Sequence, residues 1–321
     1  MRYGDQDRES ENVEDRRGQG GGGMFPFPRG GGGGLRIPIG GGGLSITTLL
    51  IIGAICLMLG INPLEFLAGG GGDGIPRMPE MPRTSPNSRV DIPHGQQPRI
   101  GQQDDEMSRF VRRVLADTED VWDGVFKAAG RRYEKPTLVM FSGATRTECG
   151  VGQTAMGPFY CPIDRKVYID LDFYRELKER FNAPGDFAQA YVIAHEVGHH
   201  VQLLLGVADK VQALKQQAMQ RGDQARANAL QVRMELQADC LAGVWASLND
   251  QVKNRLQPGD VESGLNAAAQ IGDDTLQKRT QGRVVPEAFT HGSAQQRVRW
   301  FRRGLETGKT QSCDTFGVSE L

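Results

Sequence analysis

Two short stretches decide the reading of this chain: Ala194-His195-Glu196-Val197-Gly198-His199 and, further on, Met234-Glu235-Leu236-Gln237-Ala238-Asp239. The first lies in a run over 186–205 whose Phe187, Tyr191, Ala194, Val201 and Leu205 recur near the helical period. Residues four apart share one face of a helix, so the imidazoles of His195 and His199 point the same way, with Glu196 beside them. This is the H-E-x-x-H arrangement, in which two histidines hold zinc and the carboxylate acts on its water. Two imidazoles are not enough: a catalytic zinc needs a third protein ligand and one open position.

The second stretch supplies that ligand. In thermolysin-like zinc proteases it is a glutamate on a later helix, and by that resemblance Glu235 takes the place. Asp239, one turn on, shares its face and is suited to accept the second ring N–H of a zinc histidine. Leu230, Met234, Ala238, Leu241, Trp245 and Leu248 give the second helix an apolar side that can pack on the first, where Gly198 lets another segment approach. Alone, H-E-x-x-H arises by chance in many helical proteins; joined to E-x-x-A-D on a second helix it is specific. His200 points away from the ligand face and is read as a surface residue or a support behind the ligands, and His94 falls in a linker.

Working outward, the 321 residues include 43 glycines, and most of the conspicuous glycine runs precede residue 75. Residues 1–43 therefore read as a disordered, glycine- and charge-rich segment. Leu44–Ile61 (LSITTLLIIGAICLMLGI) carries no charge, and eighteen residues of helix cover about 27 Å, enough for a bilayer core. With 43 residues before it and no basic start adjoining, it reads as a retained single-pass anchor contacting membrane lipid rather than a cleaved leader. Residues 62–103 form a Pro/Gly-rich spacer, and the folded domain is expected over 104–321. Arginines flanking the span are too evenly split to orient it. A formal net charge of -1 argues against nucleic acid as a partner.

Four cysteines lie beyond the anchor, and an even number permits three connectivities. Cys149–Cys161 closes a short loop and Cys240–Cys313 tethers a polar tail; this pairing is favoured and implies an extracytoplasmic domain. Four buried thiols in a cytoplasmic domain are the alternative.

Within 104–321 a first helix (Phe110, Val111, Val114, Leu115, Val121, Trp122, Val125, Phe126) precedes two strand-like runs, 137–142 and 166–172. Helices are expected at 186–205, 207–221, 223–250, 260–281 and 292–305, divided by Pro and Gly. The fold class is α+β, mainly helical, with a small sheet. Met156–Tyr160 offers either a strand edge to an extended peptide or a plain turn. Arg297, Arg299, Arg302 and Arg303, around Trp300 and Phe301, read as a solvated face with aromatic packing.

Several stretches together carry a family resemblance: Arg8-Glu9-Ser10-Glu11-Asn12-Val13-Glu14-Asp15-Arg16-Arg17, Gly157-Pro158-Phe159-Tyr160-Cys161-Pro162, Val167-Tyr168-Ile169-Asp170-Leu171, both metal motifs and His291-Gly292-Ser293. The chain resembles the neutral zinc metallopeptidase family, the YpfJ-like bacterial single-pass membrane proteins. That resemblance implies a zincin-like domain with one zinc ion per chain and a peptide or protein substrate. A wider similarity is to membrane-associated gluzincin proteases, where a histidine with an arginine six residues later follows the E-x-x-x-D helix. His291 and Arg297 fit that spacing, and the likeness implies that His291 stabilises the oxyanion, although Ser293 and Gln296 also have the form of a capping box. The expected mechanism has Glu196 as general base toward a water on zinc held by His195, His199 and Glu235. The rival readings are a zinc-braced, non-catalytic interaction module and a zinc hydrolase of a non-peptide amide.

Overall fold

Two runs of β-branched and aromatic residues, TLVMF and KVYID, form the middle of a four-stranded sheet. The computed structural model describes residues 1–17, 100–153, 157–174 and 185–321, all within one compact unit. In chain order its elements are β1 (Val13–Asp15), α1 (Ile100–Ala128), β2 (Thr137–Phe141), β3 (Ala144–Thr147), β4 (Gly150–Gln153), β5 (Phe159–Cys161) and β6 (Lys166–Asp170). There follow α2 (Asp186–Leu204), α3 (Val207–Gln220), α4 (Gln224–Lys253), α5 (Asp260–Gln270), α6 (Asp273–Gln281) and α7 (Ala294–Thr307). The α+β, mainly helical expectation holds.

The sheet runs β1-β2-β6-β5. β1, β2 and β6 are parallel, with Val13 opposite Leu138 and Leu138 opposite Val167, while β5 is an antiparallel edge, Phe159 opposite Tyr168. Both faces of β2 and β6 are covered, and Leu138 to Phe141 and Val167 to Asp170 are all buried, as parallel strands require. β3 and β4 make a separate hairpin.

The expectation of disorder over 1–43 fails for residues 1–17. Three consecutive residues form β1, and the backbone on either side extends the pairing: Leu138 N–H donates to the Asn12 carbonyl, and Arg16 N–H to that of Met140. A buried acid on α1 supplies the rest, since Glu119 accepts from Ser10 Oγ (2.5 Å), Asn12 Nδ2 (2.7 Å) and Arg8 Nη1 (2.9 Å). Low hydrophobicity here is offset by long-range polar contacts, which composition does not register. α1 starts at Ile100, inside the spacer expected over 62–103. The span expected at 44–61 lies outside the described residues; among those described, no helix is long and apolar enough to cross a membrane.

The helical body is centred on α2. Fourteen of its nineteen residues are buried, so neighbours surround it on every side. α4 crosses it, and α7 lies along α4 so closely that a Cβ on Gly304 would stand 1.9 Å from the Cys240 carbonyl oxygen. The helix expected over 260–281 is broken at Ile271–Gly272, because the chain there presses on the start of α7: a Cβ on Gly272 would meet Ala294 N at 2.4 Å. Both favoured disulfides are present, Cys149–Cys161 beside the hairpin and Cys240–Cys313 from α4 to the C-terminal tail.

Candidate metal centre and cleft

The approach of α4 to α2 is set by a missing side chain. A Cβ on Gly198 would lie 3.1 Å from the Ala238 carbonyl oxygen and 3.2 Å from its Cα, so the backbones meet where any other residue would hold them apart. That contact carries Glu235 to the histidines: its Oε2 lies 3.2 Å from His195 Nε2 and 3.4 Å from His199 Nε2. The imidazoles stand edge to face, with centroids 4.8 Å apart. One atom from each of the three residues falls within 4.8 Å of the others, and all but the half-buried His199 are buried. Two imidazole nitrogens and a carboxylate oxygen converging from two rigid helices fit a zinc ion.

Each remaining ring nitrogen is engaged. His195 Nδ1 lies 2.8 Å from Asp239 Oδ1, as the spacing along α4 predicts, and His199 Nδ1 lies 2.9 Å from Gln202 Oε1. These contacts orient both Nε2 atoms toward Glu235. Asp239 is itself gripped: Arg297 Nε and Nη2 donate to its two oxygens at 2.8 Å each, and Tyr191 Oη donates at 2.5 Å. Burial pushes the Asp239 carboxyl up, but the Arg297 guanidinium and His195 outweigh it and hold the group at about 2. Burial likewise pulls His195 down, and Asp239 and Glu235 overcome that to raise it to about 10. Burial works against the Glu235 carboxylate too, yet the two imidazoles keep it well below the ordinary range.

The ligands lie on a cleft of about 940 Å³, whose wall includes Tyr160, Phe173, Glu196, Lys215, His291 and Arg297. Glu196 is buried on the same wall. β5 borders the same cleft from the edge of the sheet, so Phe159 and Tyr160 belong to a strand, while Met156 lies outside the described residues. His291 is on the wall but outside the three-residue cluster, with its side chain 51% exposed. Its Nδ1 sits 3.0 Å from Thr290 Oγ1 and 3.3 Å from Asp273 Oδ1. The capping box also forms, with Ser293 and Gln296 bonded in both directions, so one short segment holds both features.

Two readings need correction. His200 is not a surface residue and does not reach the ligands: it is fully buried, accepting from Tyr160 Oη at Nδ1 (2.8 Å) and donating from Nε2 to the Glu134 carbonyl (2.6 Å). A helix surrounded on all sides has no solvent face to give it. Arg297 is likewise not part of a solvated face. It is 2% exposed, whereas Arg299, Arg302 and Arg303 do face water. Sequence reasoning assigned Arg297 no role at the site and missed Gln202 and Asp273 altogether. An acid on the buried face of α4 was the available signal for Arg297, because such a charge needs a partner. Asp273 accepts from the backbone N–H groups of Thr290, His291 and Gly292, and so fixes the loop bearing His291.

A family model described as "Putative neutral zinc metallopeptidase" matches residues 1–316. The chain is 48% identical over 312 residues to the uncharacterized protein YpfJ of Escherichia coli (strain K12), covering 97% of this chain and 98% of that one. It is 42% identical over 226 residues to uncharacterized proteins of Mycobacterium bovis and Mycobacterium tuberculosis, covering 67% of this chain and 74% of theirs. No solved structure matches.

Proposed function

Because the chain belongs to the neutral zinc metallopeptidase family, we propose that it hydrolyses peptide bonds in the cleft over His195, His199 and Glu235, with Glu196 as the proton-transfer group. The carrying observation is the meeting of three ligand atoms within 4.8 Å beside a buried carboxylate. Zinc held there supplies Lewis acidity toward a carbonyl and makes a water nucleophilic near neutral pH. Glu196 takes the proton of the attacking water and returns it to the leaving amine nitrogen. His291, its Nδ1 occupied by Thr290 and Asp273, presents its other nitrogen from the cleft wall to the developing oxyanion. The outer edge of β5 accepts an extended peptide as an added strand. A zinc that only braced helices would be closed by four protein ligands, whereas three meet here among the described residues.

The apolar stretch 44–61 supports a membrane tether, and two disulfides support an oxidising, extracytoplasmic setting. The test uses the full chain with casein as substrate and elemental analysis alongside. Glu196→Gln should lower turnover by roughly 10²–10⁴-fold with zinc content intact, and His195→Ala should lose both. Normal turnover by the Gln variant would refute the assignment.

A further inference from the structure

Resting on the zinc-site reading above, we propose that Gln202 and Gln237 form a positioning relay, anchored on the carbonyl of Cys313, that sets the tautomer of His199 and with it the metal affinity of the site.

Three contacts run in series, with one branch to the Met234 carbonyl. His199 Nδ1 lies 2.9 Å from Gln202 Oε1. Gln202 Nε2 donates to the Met234 carbonyl at 2.8 Å and to Gln237 Oε1 at 3.0 Å. Gln237 Nε2 donates to the Cys313 carbonyl at 3.0 Å. Gln202 is fully buried, Cys313, bonded to Cys240, is 1% exposed, and Gln237 is half-buried, so water offers the inner amide little alternative.

The direction of the relay is forced. A backbone carbonyl can only accept, so the Gln237 amide must turn its NH₂ to Cys313, which leaves its oxygen for Gln202. Met234 imposes the same choice on Gln202, whose NH₂ then serves two acceptors. The Gln202 oxygen is left facing His199, and that imidazole must carry its proton on Nδ1. Its Nε2 is thereby the atom presented beside Glu235, with a lone pair for the metal once the imidazole is neutral. His195 is oriented by a carboxylate, Asp239, while His199 is oriented by two neutral amides whose sense is set by the Met234 carbonyl and, at the far end, by that of Cys313 in the C-terminal tail. The Cys240–Cys313 bridge holds that tail on α4, one residue from Asp239, so it secures the anchor of the relay.

The experiment measures zinc affinity of the full chain by competition with a chromogenic chelator, with circular dichroism to confirm folding. Gln202→Met keeps the volume but removes the acceptor, and should weaken zinc binding by roughly 10–100-fold, the usual effect of losing a partner behind a ligand. Gln237→Met should weaken binding in the same direction, and the double variant should be no weaker than Gln202→Met, because the two residues act in series. Parent-like affinity in Gln202→Met or additive losses in the double variant overturns the relay alone. If Gln202→Met does not fold, Gln237→Met at the less buried end decides: weakened zinc binding supports the relay and parent-like binding overturns it. A parent that binds no zinc sinks the relay together with the site reading, and is told apart by the parent measurement itself.

Discussion

Replacing Arg297 with Met tests the most deeply placed charge pair of the site. The guanidinium is 2% exposed, donates twice to the fully buried Asp239, and also reaches Tyr191 Oη (3.2 Å) and the Ile271 carbonyl (3.3 Å). Removing one partner of a buried pair strands the other charge, at a cost of about 3–5 kcal/mol. For a folded body of this size, each kcal/mol moves the melting midpoint by roughly 2–4 °C, so the variant should melt about 6–20 °C below the parent. Asp239→Asn alone should also destabilise, but the double variant removes both charges and should recover part of the loss. The assay is urea denaturation of the four full-length proteins, closed as a double-mutant cycle. A coupling energy below about 1 kcal/mol, the level of an exposed pair, would refute the view that Arg297 and Asp239 work as one buried unit.

Acid should act on the same pair. The Asp239 carboxyl lies at about 2 when folded against an ordinary 3.8, a lowered value. Its contribution is therefore fully present above the ordinary value and lost as pH falls through the folded one. At roughly 1.4 kcal/mol per tenfold in proton affinity this is about 2 kcal/mol, lost between about pH 4 and 2, and pH-dependent urea melts would read it. Zinc must displace the proton that His195 holds up to about 10, so apparent affinity should rise with pH from 7 toward 9; titration calorimetry in buffers of different ionisation heat should show at least one proton released per zinc. Gly198→Ala pushes a methyl toward the Ala238 backbone and should cost about 1–3 kcal/mol and weaken zinc binding; a variant as stable and as zinc-competent as the parent would deny that this contact sets the site. A fragment starting at residue 104 lacks β1 and, with Arg8, Ser10 and Asn12, all the partners of Glu119 but Lys135, and should be protease-sensitive, whereas adding residues 1–17 as a peptide should restore protection.

The histidine pair was legible because its cause is local, i and i+4 sharing a face on any helix, whereas Glu235 was reached through the likeness to thermolysin-like proteases, with Asp239 one turn on from it. Gly198 could be read as a point of close approach because glycine amid apolar neighbours has few other uses. The break at Gly272 escaped notice since a single glycine is tolerated inside a helix, and it is Ala294, twenty-two residues on, that forbids continuation. Gln202 and Gln237 take their meaning from partners on other elements, and nothing near them in the chain marks them off from solvated polar residues; Arg297 was marked only by its spacing from His291, which does not reveal its bond to Asp239. β1 was invisible for a related reason: charged residues form a strand when a neighbouring edge and a buried acid are already waiting for them.

The parallel pairing of β1 with β2 restricts how the molecule can sit at a lipid bilayer. Strands that share hydrogen bonds share a compartment, so residues 13–15 and 137–141 stand on one side of any membrane, even were the first strand lent by another copy. The N-terminal strand and the cleft over the histidines therefore face one and the same compartment.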